Sequence, residues 1–221
     1  MPTSDIRVRI APSPTGFMHI GTARAALFNL LFARKHGGTF ILRIEDTDRA
    51  RSEKRYEDDI LDGLRWLGLQ WDEFYRQSDR ATMYETYIKK LLAAGKAFWC
   101  LHTPAELEAE RTAQMQTKEL PRHVCSYKNN PMTDGDGGSA RVDGGVIRLA
   151  VDGSSSEKIV FNDMIRGPVE VDPRLLGDFS IAKSPTEPLF HIVNVVDDYE
   201  STISHVIRGE DHLSNTPKHI L

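Results

Sequence analysis

His19, Gly21 and Thr22 stand where the chain between Ile10 and Leu27 changes from a strand-like apolar run into a helical one. Pro12, Pro14 and Gly16 precede them, so one crossing gathers several residues that restrict or free the backbone. A strand-to-helix turn in a parallel sheet aims backbone N–H groups at whatever anion sits above it, and the helix dipole favours negative charge there. Gly21 has no Cβ, which would let a flat ring approach the backbone, His19 can donate to phosphate oxygens, and Thr22 adds a hydroxyl. Neither role needs a protein nucleophile. Alone, His-x-Gly-Thr reads more readily as a tight connection chosen for shape.

The elements that would position these residues follow from the spacing of apolar positions. Arg7 to Ala11 alternates charged and apolar residues before Pro12, as a short strand does. Ala23, Ala26, Leu27, Leu30 and Leu31 then recur at helical spacing up to Gly37-Gly38, and Thr39 to Ile44 is β-rich and leads into Glu45-Asp46-Thr47-Asp48-Arg49. Strand, helix and strand in this order predict a right-handed crossover in a parallel sheet, with ligands beyond the carboxyl ends of the strands. Further helices are predicted through Tyr56 to Leu67, from Asp79 as N-cap to Leu92, and from the capping box Thr103-Pro104-Ala105-Glu106. Val146 to Val151, Ile159 to Asn162 and Val169 to Val171 read as strands, so residues 96–178 are read as an α+β insertion into the sheet. Leu189 to Val196 is expected to return to that sheet as a strand ending in Asp197-Asp198. Thr216 and Pro217 start a helix within about one turn of Leu221, which reads as part of something longer.

With 40% hydrophobic and 27% charged residues the composition is that of a globular protein, and a net charge of −4 excludes indiscriminate coating of polyanions. It leaves room for a local nucleic-acid footprint. Arg43, Arg49, Arg51, Lys54 and Arg55 read equally as such a footprint and as a solvated helix entry. The N-terminus has no basic segment followed by an apolar one and no apolar run is long enough to span a bilayer, so a cytoplasmic protein without membrane partners is expected. Cys100 and Cys125 are too few for a disulfide framework.

Taken whole, "RIAPSPTGFMHIGTARAALFN" (9–29) resembles the first signature of class I aminoacyl-tRNA synthetases in its glutamyl-tRNA synthetase form, where threonine, as in Thr22, commonly replaces the second histidine. "RIEDTDRAR" (43–51), "FNDMIRGPVEV" (161–171) and "VVDDYESTISHVIRGEDHLSNTPKHIL" (195–221) also resemble that family, so the likeness covers nearly the whole chain. It implies an α/β fold: a Rossmann-like class I catalytic domain with a parallel sheet, interrupted by an acceptor-stem-binding insertion. Residues 1–95 and 179–221 would be the two parts of the catalytic domain and 96–178 the insertion. The implied activity is formation of glutamyl-adenylate from L-glutamate and ATP with Mg2+, then transfer to the terminal ribose of tRNA(Glu), and a monomer is expected.

By motif match Arg9 and Ser13 would contact glutamate, Glu45 its ammonium and Arg208 its side-chain carboxylate, with Phe190 and Asn194 lining the same pocket. Pro12, Thr15, Gly16, His19, Gly21 and Glu210 would bind ATP, and His19 and Thr22 would act in catalysis. The planar guanidinium suits two-point bonding to a carboxylate. Phe190 stands where the family usually has tyrosine, so a hydroxyl that would help read glutamate is absent. In some relatives this part of the insertion holds zinc, and Cys100, His102, Cys125 and Tyr127 fall where its ligands would be. Tyrosine is an unusual fourth ligand, and two buried thiols near a histidine are the plainer alternative. The stretch from Asp134 to Gly145 only superficially resembles a calcium loop, having Ser139 and Gly145 where glycine and glutamate belong. His205, His212 and His219 recur every seven residues, but one helix through all three would cross Pro217.

Rival readings are a glutaminyl-tRNA synthetase or the relative that glutamylates queuosine in tRNA, on the same scaffold; a small nucleotidyltransferase of the same superfold, which would have no reason to carry the insertion; and a non-catalytic glutamate- or nucleotide-binding module. The family's second signature, a lysine-serine loop that stabilises the triphosphate, is expected beyond Leu221, and Lys183-Ser184 is no substitute because Pro185 follows. The 221 residues by themselves are therefore expected to make very little adenylate. An ATP–pyrophosphate exchange assay with tRNA present checks this, and full turnover would contradict it.

Overall fold

β1 (Arg7–Ile10), α1 (Ile20–Lys35) and β2 (Thr39–Ile44) form the strand, helix and strand that the apolar spacing predicts. The computed structural model describes residues 5–129 and 144–221, so Asp134 to Asp143 of the calcium-like stretch lie outside the described residues. α2 (Lys54–Trp66) and β3 (Glu73–Arg76) extend the pattern into a parallel sheet of order β1-β2-β3, with Val8 opposite Phe40 and Leu42 opposite Phe74. β2 is the middle strand, and its Phe40, Ile41, Leu42 and Ile44 are all buried, which is why it reads as a continuous apolar run. Ala26 and Ala33 of α1 and Ile60, Leu61 and Leu64 of α2 close the core over these strands. β3 carries a weak sequence signal because Glu73 and Phe74 are exposed.

One helix start changes. A 3-10 turn, Gln77–Arg80, occupies the place of the expected first helical turn, and α3 runs Ala81–Ala93, so Asp79 lies inside the turn and does not cap the helix. Tertiary bonds tighten it: the Ser78 N–H and hydroxyl donate to Asp46, while Gln77 Nε2 and Arg80 Nη1 donate to Asp197. β4 (Ala97–Cys100) follows, then α4 (Pro104–Gln116), whose capping box forms as predicted, with Thr103 and Glu106 bonding each other's backbone N–H. β5 (Val146–Leu149), β6 (Ile159–Asp163) and β7 (Gly167–Val171) correspond to the predicted strands. β8 (Ser180–Ser184) and β9 (Glu187–Pro188) complete an antiparallel sheet of order β4-β5-β8-β9, and β6 and β7 pair as a separate hairpin.

The larger correction concerns Leu189 to Val196. These residues do not form a strand; Phe190–Glu200 is a helix, α5. Ile192, Val193, Val196 and Asp197 are buried at helical spacing, and a strand would have sent Asp197 and Asp198 to opposite faces of the sheet. The β-branched residues gave a local preference that tertiary burial overrode. α6 (Thr216–Ile220) starts at the predicted Thr216-Pro217.

The chain divides into two compact units, Met1–Ala81 with Val195–Leu213, and Thr82–Asn194 with Ser214–Leu221. Among the described residues no helix is long and apolar enough to cross a membrane. In the first unit the α1-to-β2 connection is tight: Gly38 donates to the Ala33 carbonyl, and a Cβ on Gly38 would collide with the Ile6 carbonyl oxygen. Gly38→Ala is therefore expected to cost about 1–3 kcal/mol in urea unfolding. Gly153→Ala, with open space at its Cβ, should change stability by less than ~0.5 kcal/mol.

Candidate active site and metal centre

The first unit gathers its charges on adjoining elements. Arg9 on β1 is buried and donates through Nε and Nη2 to Asp198 Oδ1 and Oδ2 at 2.9 and 3.1 Å. Arg43 on β2 is fully buried; Nη1 donates to Asp198 Oδ1 at 2.7 Å, Nη2 to Glu45 Oε1 at 3.0 Å, and Nε lies 3.7 Å from Asp197 Oδ2. Asp197 accepts from Arg80 at 2.7 Å and from Gln77 at 2.9 Å. Arg43 is thus a buried strut and not part of a surface footprint. Arg51, Lys54 and Arg55 pair with neighbouring Asp48, Asp58 and Glu53, as a solvated face does.

The electrostatics separate the carboxylates. Burial pushes the Asp198 carboxyl up, and Arg9 and Arg43 outweigh it, holding the group below the usual value. At Glu45 burial wins over Arg43 and Arg9, so its carboxyl lies above the usual value. Burial and then Arg9 lower the Arg208 guanidinium, against the pull of Asp198 and Asp211, so Arg208 lies within electrostatic reach of Arg9.

The loop after β1 is stitched to the loop after β2: Glu45 N–H donates to the Pro12 carbonyl at 2.9 Å and Glu53 N–H to the Pro14 carbonyl at 3.0 Å. Ser13 and Thr15 are exposed, and Thr15 N–H donates to the Ser13 carbonyl. His19 is the N-cap of α1; its Nδ1 accepts from Gly21 N–H at 3.1 Å, and its Nε2 lies 3.4 Å from Thr22 Oγ1. A Cβ on Gly21 would lie 2.8 Å from His19 Cε1. The glycine therefore makes room for the imidazole of its own cap, a reason beside the ring approach expected from the sequence. With Nδ1 accepting, the ring proton sits on Nε2, at the start of the helix. A hollow of about 470 Å³ between α1 and α2 includes His19 on its rim, but its other lining, including Met18, Ile20, Gly63 and Trp66, is outside the predicted set.

Arg9, Glu45, Arg208, His19, Gly21 and Thr22 thus belong to one unit, with exposed Glu210 opening the 3-10 turn Glu210–Asn215. Phe190 and Asn194 lie on the first turns of α5, which fall in the other unit; Asn194 is buried, and the Phe190 ring stands edge-on to His191 at 5.4 Å. Asp197 and Asp198 are the site members that sequence reasoning left without a role. The available signal was a pair of acids at the end of an apolar run, where burial would demand cationic partners.

In the second unit Cys100, His102, His123 and Cys125 bring four ligand atoms within 4.8 Å of one another. Cys100 Sγ lies 3.4 Å from His102 Nδ1 and 3.6 Å from His123 Nε2, and Cys125 Sγ lies 3.6 Å from His102 Nδ1. Ordinary zinc–sulfur and zinc–nitrogen bonds at the tetrahedral angle separate sulfur from nitrogen by about 3.6 Å. The set therefore fits zinc in size and in donor type. Tyr127 stands beside it as a ring packed edge-on to His102 at 5.1 Å, and His123 is the fourth member of the set. His123-Val-Cys125 mirrors Cys100-Leu-His102, a signal that was present in the sequence. Burial pushes the Cys125 thiol up to about 11, so a thiolate there needs a cation beside it.

The profile of tRNA synthetases class I (E and Q), catalytic domain, matches residues 5–221. The chain belongs to this family. The synthetase domain is 45% identical over 216 residues to a glutamate–tRNA ligase of Hydrogenobaculum and 50% identical over 222 residues to one of Nostoc punctiforme, covering 98% of this chain and 46% of each relative. It superposes on a glutamate tRNA ligase of Elizabethkingia meningosepticum, crystallised in complex with its amino acid, with a TM-score of 0.82 and 33% identity over 98% of this chain and 46% of that one. The chain thus spans about half the length of the relatives it matches.

Proposed function

We propose that the synthetase domain is the catalytic portion of a glutamate–tRNA ligase, forming glutamyl-adenylate and pyrophosphate from L-glutamate and ATP and passing the glutamyl group to the terminal adenosine of tRNA(Glu). The observation that carries this reading is the convergence of charges of both signs around Asp198: Arg9 and Arg43 bond its carboxylate, Arg43 also bonds Glu45, and Arg208 lies within electrostatic reach of Arg9 and Asp198. Glutamate brings an ammonium and two carboxylates at neutral pH. Glu45 suits its ammonium, Arg208 and Arg9 suit its carboxylates, and Asn194, Ser13 and Phe190 would line the rest of the pocket.

In the activation step a glutamate carboxylate oxygen attacks the α-phosphorus of ATP and pyrophosphate leaves. The protein supplies position and charge and no nucleophile. His19 Nε2–H, Thr22 and the N-terminus of α1 would meet developing phosphate charge, with Pro12, Thr15, Gly16, Gly21 and Glu210 framing the nucleotide. Class I synthetases use ATP with magnesium, which arrives on the nucleotide's phosphates. Residues 96–178 would meet the acceptor stem, and the Cys/His cluster would hold a structural zinc. A cytoplasmic monomer completes the reading.

The test uses the raised carboxyl of Glu45. An ammonium beside Glu45 favours its charged form, so glutamate binding releases a proton wherever the free protein holds Glu45 protonated. Affinity should then rise with pH, by up to about tenfold per pH unit, above the ordinary 4.5 until Glu45 is ionised in the free protein. Calorimetric titration across this range should show the rise in the wild type. Glu45→Gln should bind more weakly and lose the part of the slope that glutamate's own carboxyl does not supply. An equal slope in both proteins would refute the placement of the ammonium.

A further inference from the structure

α4 is an unusual helix in its unit because, among the described residues, none of its positions is fully buried. Only Leu107, Glu110 and Gln114 are half-buried, and they lie three and four apart on one stripe. Two of these three are polar, so apolar burial supplies little of what holds the helix in place. The stripe is bound instead to the segment that enters the Cys/His cluster. Gln114 Nε2 donates to the Arg122 carbonyl and Gln114 Oε1 accepts from Arg122 N–H, both at 2.8 Å. One residue on, His123 Nδ1 donates to Glu110 Oε2 at 2.5 Å. That bond settles which ring nitrogen of His123 is left for a metal, and Nε2 is the one that faces Cys100 Sγ. Beneath the cluster Cys100 and Cys125 pack with Phe98 in a small core of the antiparallel sheet.

We propose that Glu110 and His123 form a carboxylate–imidazole link that supplies the fourth zinc ligand and moors α4 to the zinc centre. This rests on the zinc reading above. A carboxylate behind a ligating histidine fixes its tautomer and strengthens it as a donor, an effect commonly worth 10–100-fold in metal affinity. Zinc, when bound, closes a tetrahedral site that contributes folding energy without taking part in the reaction. Tyr127 then has a packing role against His102.

The full-length protein, purified without chelator, is analysed for zinc per chain, for zinc release to a competing chelator, and for hydrogen exchange of α4 amides. Wild type and Tyr127→Phe should each carry one zinc and resist the chelator equally. Glu110→Gln should still carry zinc but release it at roughly 10–100-fold lower chelator concentration, with faster exchange in α4 and unchanged protection in β4, β5 and β8. His123→Asn should lose most of its zinc. Because that variant could fail to fold, His123→Cys serves as its partner: it should retain zinc, give a more thiolate-rich cobalt(II) spectrum, and still leave α4 loose, since a thiolate cannot take up the bond to Glu110. Zinc loss in Tyr127→Phe with retention in His123→Asn would return the fourth ligand to Tyr127. Unchanged α4 exchange and chelator resistance in Glu110→Gln would overturn the mooring. A wild-type protein with well under one zinc per chain would instead remove the zinc reading itself, whatever the variants do.

Discussion

Asp198 accepts hydrogen bonds from two buried arginines that lie on adjacent parallel strands, and the rest of the first unit is arranged around that requirement. A buried charge is tolerable only when its partners are complete, and removing one partner leaves the others exposed to the full cost of desolvation. Arg9 and Arg43 can both reach one carboxylate because β1 and β2 are paired in parallel with Arg9 opposite Ile41, two residues from Arg43. The carboxylate comes from the end of α5, and its neighbour Asp197 takes Arg80 and Gln77 at the same time. Two consecutive acids on one helix thus tie the sheet to the 3-10 turn after β3.

This constraint has a functional reading. A guanidinium already bonded through two of its nitrogens has little freedom left, so Arg9 is held before any ligand arrives and its other N–H donors have fixed directions. Glu45, fixed by Arg43 and by its backbone bond to Pro12, is similarly restrained, and burial keeps its carboxyl reluctant to ionise without another cation. On the proposed reading, a ligand that brings both an ammonium and carboxylates would meet charges already held in place.

Much of this was readable from residue types. The strand–helix–strand crossover, the capping box at Thr103 and the loop carrying His19 follow from local spacing, because those signals are set within a few residues of the chain. α5 was misread because Ile192, Val193, Val195 and Val196 favour a strand locally, while the helix is selected by long-range partners for Asp197 and Asp198 that no local pattern reveals. Gly21 has a further reason that residue types did not reveal: the His19 ring, two residues earlier, occupies the space a Cβ would take. Likewise His123 escaped notice because it meets Cys100 only after the chain has passed through α4, although its spacing to Cys125 repeats that of the first pair in reverse.

The most direct test of the central interaction is a double-mutant cycle in unfolding free energy between Arg43 and Asp198, using Arg43→Met, Asp198→Asn and the pair. Each single change should cost about 3–5 kcal/mol, because it strands a buried partner, and the pair should cost less than their sum by about 2–3 kcal/mol. Additivity to within ~0.5 kcal/mol would show that the two groups do not depend on each other, and the account of the site built around Asp198 would fail.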